Sequence, residues 1–142
     1  MDSWTAALWA AATFVWFGMV LAISFLETPL KFRAPGVTVP IGLGIGRLVF
    51  RALNAAEVVL GLVVVVAMTS GGHRRAAEVL SVVALTALTV QLTVVRPQLR
   101  RRTERVLAGR SQQRSTAHLL YVALEVVKAP ALLAAGVLLL AG

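Results

Sequence analysis

The chain has 142 residues, 58% of them apolar and only 14% charged, with a mean hydropathy of +0.84 and a formal net charge of +8. Soluble domains carry about 25% charged and about 45–50% apolar residues, so this composition excludes a disordered chain and an ordinary soluble enzyme. The absence of cysteine excludes a disulfide scaffold, thiol nucleophiles, iron–sulfur clusters and thiolate zinc sites, and two histidines leave little for a metal centre built by the protein.

A bilayer core about 30 Å thick takes roughly 20 apolar residues per helix, and four segments reach that length. They run over residues 4–27, 47–68, 76–95 and 116–141, which predicts an all-α integral membrane four-helix bundle in one domain. The first segment could be mistaken for a signal peptide. Its only early charge is Asp2 and its apolar run exceeds an h-region, so it is read as a retained helix. Trp4, Trp9 and Trp16 within it are read as interfacial and packing aromatics.

Residues 34–46, APGVTVPIGLGIG, then form an apolar turn expected to lie in the interface or dip into the mouth of the bundle. Gly42, Gly44 and Gly46 precede Arg47 at the expected helix start, where a phosphate or lipid headgroup could be held. Their spacing matches neither a P-loop nor a dinucleotide fingerprint. Between the third and fourth segments lies RRRTERVLAGRSQQR, Arg100 to Arg114. This stretch is expected to attract anionic lipid headgroups.

Basic residues orient the bundle. Lys31, Arg33, Arg47 and Arg51 flank the first connection. Arg96, Arg100, Arg101, Arg102, Arg105, Arg110 and Arg114 flank the third. The opposite side has Arg74 and Arg75, and the termini have no Lys or Arg. Both termini are therefore expected outside the cytoplasm, in a multi-pass protein of the plasma (inner) membrane. The net charge is topological and does not point to nucleic acid.

The chain also echoes itself at a period of 68. Pro29 and Pro97 stand at that offset, as do Arg33 and Arg101, Ala55 and Ala123, and the Glu-Val-Val triplets that begin at Glu57 and Glu125. Two such hairpins inserted the same way round would be related by an axis along the membrane normal, with Glu57 and Glu125 as mates.

At about 100° per residue, each helix gathers its polar groups on one side. Helix 1 gathers Thr13, Trp16, Ser24 and Glu27, while helix 2 gathers Asn54, Glu57 and Gly61, with Arg51 at the edge. Helix 3 gathers Thr86, Thr89, Thr93 and Arg96, and helix 4 gathers His118, Tyr121, Glu125 and Lys128. Lipid cannot satisfy such groups, so all four stripes are expected to face a polar interior open towards the cytoplasm. Intramembrane charges cost roughly 2.5–3.5 kcal/mol each on insertion scales. Either they pair structurally, Glu125 with Lys128 and Glu57 with Arg51 or Asn54, or they form a site for a ligand, ion or proton. A carboxylate pair in low dielectric suits proton handling. His118 is expected to hydrogen-bond within the bundle, with axial ligation of a haem as the alternative.

One layout now becomes recognisable. An apolar helix runs into Phe25-Leu26-Glu27-Thr28-Pro29-Leu30-Lys31-Phe32, then a Gly-rich loop, then Gly46-Arg47-Leu48-Val49-Phe50. Helix 3 ends in Pro97 before an Arg/Glu-rich segment, and His118 opens helix 4. This resembles the small four-helix bacterial membrane proteins grouped with the eukaryotic transmembrane proteins linked to platinum-drug resistance. More distantly, it is similar to the membrane domains of copper-resistance D proteins and to four-helix protoporphyrinogen oxidase. The resemblance implies a four-helix membrane fold over nearly the whole chain. The oxidase would carry a histidine in helix 1, and copper handling would need clustered Met, His or Cys. Neither pattern is present, so neither activity is carried over.

The sequence thus leads to a membrane protein that binds or moves a small molecule or ion without a cofactor and is not read as an enzyme. Glu57 and Glu125 are its expected acidic centre and Lys128 the counter-charge. Asn54, His118, Tyr121, Arg51 and Glu27 complete the expected site. Transport by four helices would call for a homo-oligomer. The alternatives are a membrane redox enzyme using haem or quinone, with His118 as haem ligand, and a structural subunit of a larger membrane complex.

Overall fold

The computed structural model describes residues 3–71, 73–95, 97, 101 and 116–142. Helix α1 (Ser3–Val20) runs through a wide, π-helical stretch (Leu21–Glu27) directly into α2 (Thr28–Lys31), making one rod. Helix α3 (Val39–Ser70) follows a short turn in which Gly36 takes a φ of +82°, a conformation that suits glycine. Helix α4 (Arg75–Val90) passes into a second wide stretch (Gln91–Val95), and α5 (Thr116–Ala141) closes the bundle. All four rods are long and apolar enough to cross a membrane. The molecule has the architecture of a multi-pass membrane protein, with no strand among the described residues.

The second rod begins at Val39, well before the expected start at Arg47. Thr38 caps it by accepting the Ile41 N–H on its hydroxyl, and Pro40 sits in the first turn, where its missing donor has no helical partner to lose. Gly42, Gly44 and Gly46 therefore belong to a helix and not to a loop. Lys31 and Phe32 pack where side chains on Gly42 and Gly46 would otherwise stand. A Cβ on Gly42 would come within 2.1 Å of the Phe32 ring, and one on Gly46 within 2.7 Å of Lys31 Nζ. The glycines close the seam between α2 and α3.

Each wide stretch ends shortly before a proline, Pro29 or Pro97. Proline cannot donate to the carbonyl four residues back, and its ring crowds that carbonyl. The helix relieves this by widening. The Thr28 N–H reaches Ile23 O, five residues back, and the Thr28 hydroxyl donates to the same carbonyl at 2.9 Å.

Neighbouring rods are antiparallel. Trp4 and Leu8 at the start of α1 lie against Val66 and Ser70 at the end of α3. The Arg74 guanidinium, just before α4, donates to Leu139 O near the end of α5 at 3.3 Å. Helix α1 packs along both α3 and α5, and α4 along α5, whereas α3 and α4 touch sparsely. The core holds Trp9, Trp16, Val20, Leu53, Val64 and Leu132, while Leu48, Leu62 and Leu140 point outward and are mostly exposed. Such an apolar exterior suits a lipid solvent, which needs no polar cover.

Burial follows the 68-residue offset closely. Thr13 and Ser81 are both buried, as are Trp16 and Ala84, Val20 and Leu88, Glu57 and Glu125, Val64 and Leu132, and Ala67 and Ala135.

Candidate functional site

The polar residues of the core converge near the middle of α3 and α5. Lys128 is wholly buried; it donates to Glu57 Oε2 at 2.5 Å and to Gln91 Oε1 at 2.7 Å, and its ammonium stands 2.8 Å from Glu125 Oε1 as an ion pair. Glu57 Oε2 also accepts the Trp16 indole N–H at 2.7 Å, and Glu125 Oε1 accepts the Gln91 amide at 2.6 Å. The Gln91 amide reaches Tyr121 O as well, at 3.3 Å. All four rods thus contribute to one cluster, and Glu57, Gln91, Glu125 and Lys128 are each at most 1% exposed.

With both carboxylates ionised, two carboxylates and one ammonium leave the cluster one negative charge in excess. Glu57 Oε1 and Glu125 Oε2 are buried with no hydrogen-bond partner in the protein. Asn54 Oδ1, one turn from Glu57, and Thr13 Oγ1, one turn from Trp16, share that condition. Unpaired buried acceptors are costly in a low-dielectric interior, so this is where the fold has unspent binding capacity.

The expected site residues divide into three groups. Glu57, Glu125 and Lys128 meet, with Asn54 and the Tyr121 backbone beside them. Glu27 stands apart near the Lys31 end, where its carboxylate faces Lys31 at 3.7 Å. Lys31 also lies over the Phe32 and Phe50 rings, and Phe50 meets Tyr121 edge-on at 5.6 Å. Arg51 is exposed and takes no place in the cluster; the partner of Glu57 is Lys128, from another rod. His118 lies in the first turns of α5, and its side chain falls outside what is described, as do most residues of the Arg100–Arg114 stretch.

Two groups escaped the sequence reading. Gln91 faces the cluster because it continues the buried face of α4, Ala77, Ser81, Ala84 and Leu88, at helical spacing. Trp16 is a hydrogen-bond donor to a carboxylate as well as a packing aromatic, and Trp9 likewise donates to Ser81 Oγ at 3.2 Å. The expected inward stripe on helix 3 is overturned. Thr86, Thr89 and Thr93 are exposed. Thr89 and Thr93 satisfy their hydroxyls on their own helix, donating to Leu85 O at 2.9 Å and Thr89 O at 2.7 Å. Such back-bonding lets a threonine face lipid. The inward face is Ala77, Ser81, Ala84, Leu88 and Gln91.

The chain matches no family model, no curated protein and no solved structure.

Proposed function

We propose that this membrane protein binds or carries a small molecule or ion at the Glu57–Lys128–Glu125 centre, reached from the cytoplasmic side. One observation carries the reading: two carboxylates and one ammonium are buried together at mid-bundle with an unbalanced negative charge and unpaired oxygens. Burial of that kind inside a membrane is rare unless it serves a site. The matching burial at the 68-residue offset supports two related hairpins, with the centre on their shared axis.

In a thermal-shift screen of ions and small metabolites against the purified protein, the wild type is expected to gain stability with its ligand. Glu57→Gln is expected to stay folded and lose that gain. Ligand binding unchanged in Glu57→Gln would remove the centre from the function.

A second reading is favoured by the pairing of Lys128 with both carboxylates and with Gln91: the cluster is a structural lock. A buried ion network is often replaceable by apolar side chains with no loss, or with a gain of about 1–4 kcal/mol. On this reading Glu57→Leu, Glu125→Leu and Lys128→Met combined give a protein at least as stable as the wild type in denaturant unfolding, and no ligand stabilises the native chain.

A further inference from the structure

We infer that the centre takes a monovalent metal cation, held by the free oxygens of Glu57 and Glu125 in competition with the Lys128 ammonium. The inference rests on the ligand-binding reading above and names its ligand class. Charge comes first. With both carboxylates ionised the side chains sum to one negative charge, which one monovalent cation neutralises and a divalent ion would turn positive. An anion would meet two carboxylates.

The donor chemistry agrees. The buried unpaired atoms around the centre are Glu57 Oε1, Glu125 Oε2, Asn54 Oδ1 and Thr13 Oγ1, all oxygens and therefore suited to hard cations. The softer alternatives are poorly served. The chain has no cysteine, and no sulfur or imidazole nitrogen stands among these unpaired atoms.

Position supplies a third line. Because α1 and α3 are antiparallel, Asn54 lies one turn from Glu57 towards the Lys31 end, and Thr13 lies one turn from Trp16 towards the opposite end. The unpaired oxygens therefore flank the carboxylates on both sides along the bundle axis, about 5 Å away each way. Ser24 Oγ and Glu27 Oε2, also buried without a hydrogen bond, extend the series towards the Lys31 end. Beyond Thr13 the polar groups close on each other, with Trp9 bonded to Ser81.

Lys128 itself models the ligand. Its ammonium is a single positive charge held by three oxygens from three rods. A bound cation would share the same two carboxylates, so the two charges compete.

The test is thermal unfolding of the full purified chain at fixed ionic strength, with choline chloride replaced stepwise by NaCl, KCl or LiCl. The wild type is expected to show saturable stabilisation by at least one of the three. Lys128→Met should lower the half-saturating concentration at least tenfold, and Glu125→Gln should abolish the response. If Lys128→Met does not fold, the wild type and Glu125→Gln decide the matter between them. No saturable response in the wild type overturns the cation, and so does stability that follows pH alone and ignores all three salts. Stabilisation by a small organic molecule that Glu57→Gln loses, with no response to salt, overturns the cation and leaves the ligand-binding reading standing. No stabiliser of any class overturns both.

Discussion

Trp16 and Lys128 meet on a single atom. Glu57 Oε2 accepts the indole N–H at 2.7 Å and the ammonium at 2.5 Å, so an aromatic from the first rod and a cation from the last are held by one carboxylate oxygen on the second.

Two tryptophans provide a matched comparison. Trp16 donates to a carboxylate and Trp9 to the neutral hydroxyl of Ser81, and both rings are fully buried. Hydrogen bonds to charged groups contribute about 1.5–3 kcal/mol, and neutral ones about 0.5–1.5. Trp16→Phe is therefore expected to destabilise by about 1 kcal/mol more than Trp9→Phe in denaturant unfolding of the detergent-solubilised protein. Equal losses would mean that the carboxylate partner adds nothing beyond the neutral hydroxyl.

The glycines of α3 are expected to behave in opposite ways. A methyl on Gly42 runs into the Phe32 ring, whereas Gly44 faces open space. Gly42→Ala should cost about 1–3 kcal/mol, as overpacking does, and Phe32→Ala should recover much of it. Gly44→Ala should stabilise by about 0.5–1 kcal/mol, because alanine is the better helix residue. Melting temperatures of the three variants check this.

Membrane orientation is open to direct labelling, since the chain has no cysteine. His73 is almost fully exposed in the connection before α4, and Pro35 is exposed in the turn before α3. With both termini outside the cytoplasm, His73→Cys reacts with a membrane-impermeant maleimide in intact cells. Pro35→Cys reacts only after the membrane is opened. The reverse pattern inverts the topology.

Much of this was legible in the sequence because it depends on length and polarity alone. The four rods follow from apolar runs, and the inward position of Glu57, Glu125 and Lys128 from the polar stripes of helices 2 and 4. Two physical effects hid the rest. On a wheel at 100° per residue Gln91 falls with Ala77, Ser81, Ala84 and Leu88, a face so poor in polar groups that the threonine face was read as the inward one. The threonines of α4 misled because a hydroxyl that bonds its own backbone is no longer polar to its surroundings. Hydropathy scores the residue type, not the bond it has made. The α3 start was missed for a third reason: three glycines suggest a loop, and only their contacts with Phe32 and Lys31 reveal a helix seam.

The cluster also divides unevenly between the two halves of the chain. Trp16 and Glu57 belong to the first hairpin, and Gln91, Glu125 and Lys128 to the second. Among the described residues, only two side-chain hydrogen bonds cross from one hairpin to the other, Trp9 to Ser81 and Lys128 to Glu57. If the hairpins part, Lys128 leaves Glu57 yet keeps Glu125 and Gln91, which travel with it. Glu57 would be left with the Trp16 indole as its one hydrogen-bond partner and no cation, and a buried carboxylate stripped of its counter-charge is costly. Lys128 is thus anchored in one half and holds the other to it.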